Sequence, residues 1–424
     1  MLQLSFSQHL LCKSTLTYVS PFVVALVLAW SLGGASLVLA NGLVDSSLQQ
    51  VDVLNKAEHD HRPIKPFRVA FINPGSPGNR YWDRYVEYMR VAADSLHIDL
   101  HVEYAEGNRM HTPELASKLL SQPQVPDYLV YIFQYGQTLK VLNMAEQHKV
   151  KSFIVNTNVT DSEQSDVGKP RELFKYWIGH LHANNEYAGE HLAAQLSQEA
   201  NQRFAGEDVR LLAISGSRDS TAAIDFNKGL ANALKKDDSI LLEQLVFSNW
   251  YYSTAMRQAE GLLLRYPQTQ IMWSIGEDVA LGAIDGAILA GRKPGVDIVI
   301  GGTVSTAKGV EAIEKGLLTA NMGGDSWEGA RALVMLFDFH HGVDFADDDF
   351  SVQYTTEYVT QENVAPFKAL ISQQKWQYVD YRKMSRYLNP TQENIAFNVN
   401  NLINAAEMGV ANRAITKRDG SQGE

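Results

Sequence analysis

The stretch FRVAFINPGSPGNRYW, residues 67–82, decides how the rest of the chain is read. Its first seven residues, Phe67 to Asn73, are apolar and β-branched with a single charge, the pattern of a strand buried on both faces. Two prolines and two glycines follow, which exclude helix and fix a tight loop. Asn79 can cap what comes next. From Tyr81 the spacing becomes helical, with Tyr85, Met89 and Ala92-Ala93 on one stripe running to Leu96. This is one strand–loop–helix unit.

The unit repeats outward. Strands are expected at Ile98–Tyr104, Tyr128–Phe133 and Phe153–Asn156, with helices at Pro113–Leu120 and Leu139–His148. After a polar break at Asp161–Arg171 the alternation resumes. Strands are expected at Tyr176–Gly179, Val209–Ile214, Ile240–Phe247, Gln270–Trp273, Val296–Ile300 and Leu318–Met322. Helices are expected at Asn185–Gln198, Thr221–Leu234, Ser253–Arg265, Asp278–Ala290, Lys308–Lys315 and Ser326–Phe339. Strands alternating with helices mean βαβ units, parallel sheets and right-handed crossovers. About ten strands suit two doubly wound parallel sheets of five or six better than one. The class is α/β, with the chain passing between sheets near residues 161–175. A further helix is expected near Asn363–Gln374, and disorder from about residue 411.

The 424 residues carry a formal charge of −11. A nucleic-acid partner needs a basic footprint, and the longest basic cluster, Lys235-Lys236, runs straight into Asp237-Asp238. At the N-terminus, Phe22 to Ala40 is almost unbroken apolar sequence behind a single Lys13, ending Val38-Leu39-Ala40 before Asn41-Gly42. This reads as a signal peptide over residues 1–40 cut after Ala40, for export to the periplasm, or as a single membrane anchor. Residues 41–61 form a polar arm. The one cysteine, Cys12, precedes the apolar run, so the exported chain has no cysteine chemistry.

In open α/β sheets, ligands bind beyond the carboxyl ends of the strands. Reading only those positions gives Asn79, Tyr81 and Trp82 after the first strand, Gln134 after the third and Asn156 after the fourth. In the second half it gives Arg218 and Asp219, Trp250, Glu277 and Asp278, and Asn321. Aromatic faces suit the C–H face of a sugar ring, and amides offer both donor and acceptor to hydroxyls. Each has a plainer reading as core aromatic, helix cap or turn residue, and Arg218–Asp219 can pair with each other. Glycines at Gly301-Gly302 and Gly323-Gly324 leave room for a larger ligand or only make turns.

No Gly-x-Ser-x-Gly elbow, P-loop, Gly-x-Gly-x-x-Gly or His-Glu-x-x-His motif is present. His180 and His182 alternate without a third ligand, and adjacent His340-His341 cannot readily share a metal. Binding without catalysis, metal or cofactor is the expectation.

Residues 62–360 resemble the type I periplasmic binding proteins of the ribose- and galactose-binding class, most of all their LuxP-like subgroup. The resemblance rests on Arg62-Pro-Ile-Lys65, on the loop ending Tyr81-Trp82, and on Asp278-Val-Ala-Leu-Gly-Ala-Ile-Asp285. It implies two lobes joined by three crossings: residues 62–180 and 324–350 in the first, 181–323 and 351–410 in the second, and a disordered tail at 411–424. It implies a hinge that closes on a sugar-like ligand, delivered to an ABC permease or reported to a membrane sensor kinase or cyclase. It places Tyr81, Trp82, Gln134, Asn156, Trp250 and Asp278 at ligand contacts. Where the family carries arginines, an indole and an aspartate, this chain carries Ile224, Gly323, Thr303 and Val304. Loss of the arginine forks argues for a ligand that is neutral or differently shaped.

Overall fold

The structure, a computed structural model, describes residues 62–204, 209–345, 350–391 and 396–420. The expected signal peptide and arm lie outside these residues, and so do residues 421–424. Among the described residues, no helix is long and apolar enough to cross a membrane.

Two six-stranded sheets organise the chain. The first runs in the order β11-β5-β4-β3-β1-β2, with β1 (Phe67–Asn73), β2 (Ile98–Tyr104), β3 (Tyr128–Ile132), β4 (Lys151–Asn156), β5 (Trp177–Ala183) and β11 (Ser351–Tyr354). The second runs β12-β10-β9-β8-β6-β7, with β6 (Val209–Ser215), β7 (Ile240–Phe247), β8 (Ile271–Ser274), β9 (Val299–Val304), β10 (Ala320–Gly323) and β12 (Glu357–Val359). Every pairing is parallel except β10 with β12. The longer helices among the described residues are α1 (Arg80–Leu96), α2 (His111–Leu120), α3 (Thr138–His148), α4 (Asn185–Arg203), α5 (Thr221–Lys236), α6 (Tyr252–Arg265), α7 (Glu277–Leu289), α8 (Ala307–Glu314), α9 (Glu328–His340) and α10 (Val399–Gly420). This is the expected α/β class with two doubly wound lobes.

Strand side chains alternate between faces, and both faces are covered. On β1, Val69 and Phe71 enter one core while Ala70 and Ile72 enter another. On β6, Leu212 and Ile214 go one way and Leu211 and Ala213 the other. Burial on both faces is why these strands read as continuous apolar runs.

Two of the three crossings fall later than the family resemblance implies, and the second begins where expected, after Gly323. Strand β5 stays in the first sheet through Ala183. Residues 324–327 lead back from β10 into α9, which packs on α1. Strand β11 then joins β5 in the first sheet, and only β12 returns to the second. Residues 351–354, expected in the second lobe, therefore close the edge of the first. The chain beyond Thr360 also serves both lobes. Lys368–Ser372 packs on α8, whereas Lys375–Tyr378 and Tyr381–Met384 pack on α1. Asp338 of α9 grips this extension by accepting from Ser385 Oγ at 2.5 Å, Arg386 N at 2.8 Å and Tyr387 N at 3.1 Å. Disorder was expected from residue 411, but helix α10 continues to Gly420.

Candidate ligand cleft

Both sheets share one order, with the first strand of each lobe inside its second. The direction of winding reverses between β1 and β3 in one lobe and between β6 and β8 in the other. A crevice opens beyond the strand ends at such switch points. The carboxyl ends of the two sheets meet, because three ion pairs join the rims. Arg80 reaches Asp278 at 3.2 Å, Arg109 reaches Asp219 at 2.7 Å, and Lys228 reaches Asp161 at 3.3 Å.

On the first lobe's rim, Asn79 accepts from Trp82 N at 3.1 Å, so it caps α1. Asn73 accepts from Gly75 N at 2.8 Å and tightens the loop. Tyr81 and Trp82 stand edge to face, their centroids 5.0 Å apart, with Trp82 also against Tyr85. Asn156 donates from Nδ2 to the Tyr81 hydroxyl at 2.9 Å. Its backbone has φ 70°, a conformation Asn tolerates better than most residues. Gln134 accepts from the Thr112 hydroxyl at 2.6 Å. The structure thus brings Tyr81, Trp82 and Asn156 together.

On the second lobe's rim, Trp250 holds φ 66°, which is uncommon for a bulky residue. Its indole fills the space beside Gly216 and Gly276, where any Cβ would meet the ring, and Nε1 donates to Ser217 Oγ at 3.2 Å. Asp219 pairs across the rim with Arg109 rather than with Arg218, whose guanidinium lies 4.0 Å over the Phe247 ring. Glu277 is buried and committed to structure. It accepts from Ser305 N and Thr306 N at 2.7 Å each and from the Thr306 hydroxyl, capping the turn into α8. Burial raises its carboxyl above the usual range. Burial likewise raises Asp278, which sits next to Arg80. Asn321 is fully buried and donates to Val359 O at 3.4 Å, tying β10 to β12. Asn79, Glu277 and Asn321 therefore have structural duties.

The paired glycines of the later strands open no space for a ligand. A Cβ on Gly301 would strike Leu192 and Leu196, on Gly302 Ala280, and on Gly323 Phe367. They permit close packing instead. Two cavities of about 300 Å³ lie away from the rims, one between α9 and the C-terminal extension and one between α4 and α5.

Two groups at the rim escape a reading of strand ends alone. Asp325 and Glu328 lie on the second crossing, beside Tyr81, Tyr85 and Asn156. Glu328 accepts from Tyr85 Oη at 3.1 Å and from Asn156 N at 3.2 Å. Burial lifts the Asp325 carboxyl to about 7 and that of Glu328 to about 8. Their only sequence signal is an acid directly after a glycine pair, and charged residues are ordinarily exposed.

His180 and His182 stack 4.5 Å apart inside the first sheet. His180 bonds Thr157 O through Nε2 at 2.9 Å and Ser351 Oγ through Nδ1 at 3.2 Å, and burial pushes it down to about 3. Among the described residues no group of three metal-ligating side chains exists.

Residues 69–340 match the periplasmic binding protein domain, well over half of the chain. Among solved structures, a periplasmic sugar-binding protein from Pseudomonas fluorescens is 30% identical with a TM-score of 0.70, covering 78% of this chain and 98% of its own. The periplasmic binding component of an arabinose ABC transporter from Shewanella sp. ANA-3, bound to L-arabinofuranose, shares the fold at 20% identity and TM-score 0.62, covering 72% of this chain and 96% of its own. An ABC-transporter solute-binding protein from Actinobacillus succinogenes 130z with bound D-allose does so at 14% identity and TM-score 0.62, covering 71% and 99%. These relatives are binding proteins rather than enzymes, and they give no support to the LuxP-like subgroup. The chain belongs to the periplasmic binding protein family.

Proposed function

We propose that this protein closes its two lobes on one neutral sugar and presents it to an ABC permease, after export to the periplasm by its N-terminal signal. The observation that carries the reading is the pairing of the rims. Tyr81, Trp82 and Asn156 on one lobe face a rim holding Trp250 and Asp278 on the other. Indole faces and amides suit hydroxylated rings. The positions Ile224, Gly323, Thr303 and Val304 supply no cation, which supports neutrality. Ligands bound by two structural relatives, L-arabinofuranose and D-allose, are of that class. Closure follows from differential affinity for the closed state.

The test is thermal shift of the mature chain against aldoses, ketoses, inositols and sugar acids. A ligand at 100 times its Kd stabilises by about 2.7 kcal/mol. A shift with a neutral sugar supports the reading, and no shift across the neutral set contradicts it.

A further inference from the structure

One face of α9 looks onto the C-terminal extension. Arg331, Val334, Met335 and Asp338 fall three or four residues apart, so they share one stripe of that helix. The stripe forms a wall of a cavity of about 300 Å³, at the small end of ligand pockets. Val352 of β11 and Met384 and Phe397 of the extension line it from other sides. Apart from Arg331, Asp338 and Arg386, the described residues of the lining are apolar.

The charges in this chamber do not cancel. Asp338 and Arg386 balance each other. Burial raises the Asp338 carboxyl, while hydrogen bonds from Ser385, Arg386 and Tyr387 and the Arg386 charge work against the rise. Arg331 has no such counter-charge. Among the described residues its guanidinium makes no hydrogen bond or ion pair, and it stands over the rings of Tyr354 at 5.4 Å and Phe397 at 5.8 Å. Glu328, one turn earlier, gives one oxygen to Tyr85 and the other to Asn156. Burial pulls Arg331 below its usual value, and Tyr354 and Glu328 offset that only in part.

A buried cation is costly unless an acceptor of opposite charge meets it. A guanidinium can hold a carboxylate by two parallel hydrogen bonds. Apolar walls beside it suit a carboxylate carried on a short apolar body. One uncompensated charge matches a monoanion rather than a phosphate dianion. A sugar acid, hydroxylated all round, does not suit these walls.

We propose that this cavity is a second ligand site, separate from the sugar cleft, which takes a small apolar monocarboxylate. Arg331 holds the carboxylate, and Val334, Met335, Met384 and Phe397 surround the body. The site stands independently of the sugar-binding reading. It lies beside the third crossing, because Arg331 rests on Tyr354 at the end of β11.

The experiment is titration calorimetry of the protein with hexanoate and phenylacetate, and with hexanamide and phenylacetamide as neutral counterparts. An acid should bind at one site per chain, at least about tenfold more tightly than its amide, the order expected for hydrogen bonds between charged groups. Arg331→Gln should remove that advantage and leave the amide unchanged. Met335→Trp, which fills the chamber and keeps the charge, should weaken acid and amide alike, and it decides the matter if Arg331→Gln does not fold. In crystals soaked with p-bromophenylacetate, the bromine should lie between α9 and the extension. Failure of both acids to bind, equal affinity for acid and amide, unchanged acid affinity in either folded variant, or bromine found only in the sugar cleft or on the surface would each overturn the proposal. None of these results touches the sugar-binding reading, which is tested with sugars.

Discussion

The two lobes share a strand order, yet their rims are built differently. The first lobe's rim is a polar network left partly open: Asn156 on Tyr81, Glu328 behind Asn156, and Asp325 Oδ1 unpartnered. The second lobe's rim is closed on itself. Glu277 spends its carboxylate on Ser305 and Thr306, and Trp250 packs its indole into the space beside Gly216 and Gly276. Where the second lobe offers charges outward, at Asp219 and Asp278, they meet arginines of the first. One fold thus supplies an open wall, the recognising one on the proposed reading, and a wall closed on itself, and residue type at a strand end does not reveal which is which.

The largest effect should come from the supporting wall. Glu277→Ala leaves the Ser305 and Thr306 N–H groups buried and unpaired, and should lower stability by about 2–3 kcal/mol in urea unfolding. A loss below ~0.5 kcal/mol would make Glu277 a site residue rather than a strut.

Next in size, Trp82→Ala and Trp250→Ala should each weaken sugar binding at least about tenfold, the equivalent of 1.4 kcal/mol. Calorimetry would check this. Equal affinity in both variants would move the cleft elsewhere.

The open network should also be visible in pH dependence. Asp325 and Glu328 keep their protons to about 7 and 8, whereas ordinary carboxylates in the unfolded chain release them near 4. The folded state therefore binds more protons between those values, and stability falls as pH rises from about 4 to about 8. Melting temperatures at pH 5, 6, 7 and 8 should decline less steeply in Glu328→Gln than in the parent. Identical slopes would mean Glu328 does not titrate in that window.

The smallest effect belongs to the ion pairs between rims. Arg109 and Asp219 are both largely exposed, so breaking them should weaken binding only about two- to fivefold, and less in 0.5 M salt. Exchanging the two charges, Arg109→Asp with Asp219→Arg, should restore most of the loss.

The fold was legible because strands buried on both faces cannot hide their composition. Val69 to Ile72 and Leu211 to Ile214 serve two cores each, so they read as strands from sequence alone. Strand β11 was not legible. Its four residues, SVQY, are only partly buried, and they join the sheet by pairing with β5, which is remote in sequence. The site was half legible. Asn156 ends β4, and Tyr81 and Trp82 open the helix that follows β1, so position marks them as candidates. Asp325 and Glu328 owe their character to burial beneath α1 and β4, which no local pattern records. Trp250 was legible as an aromatic at a strand end, but its left-handed backbone was not.

The central claim is closure on a neutral sugar by a wall of indoles and amides. Titration calorimetry of the mature chain with matched neutral sugars and sugar acids tests it most directly. The account predicts one site per chain for a neutral sugar and little or no heat with its uronate. Saturable binding of the uronate in preference to the neutral sugar would contradict it.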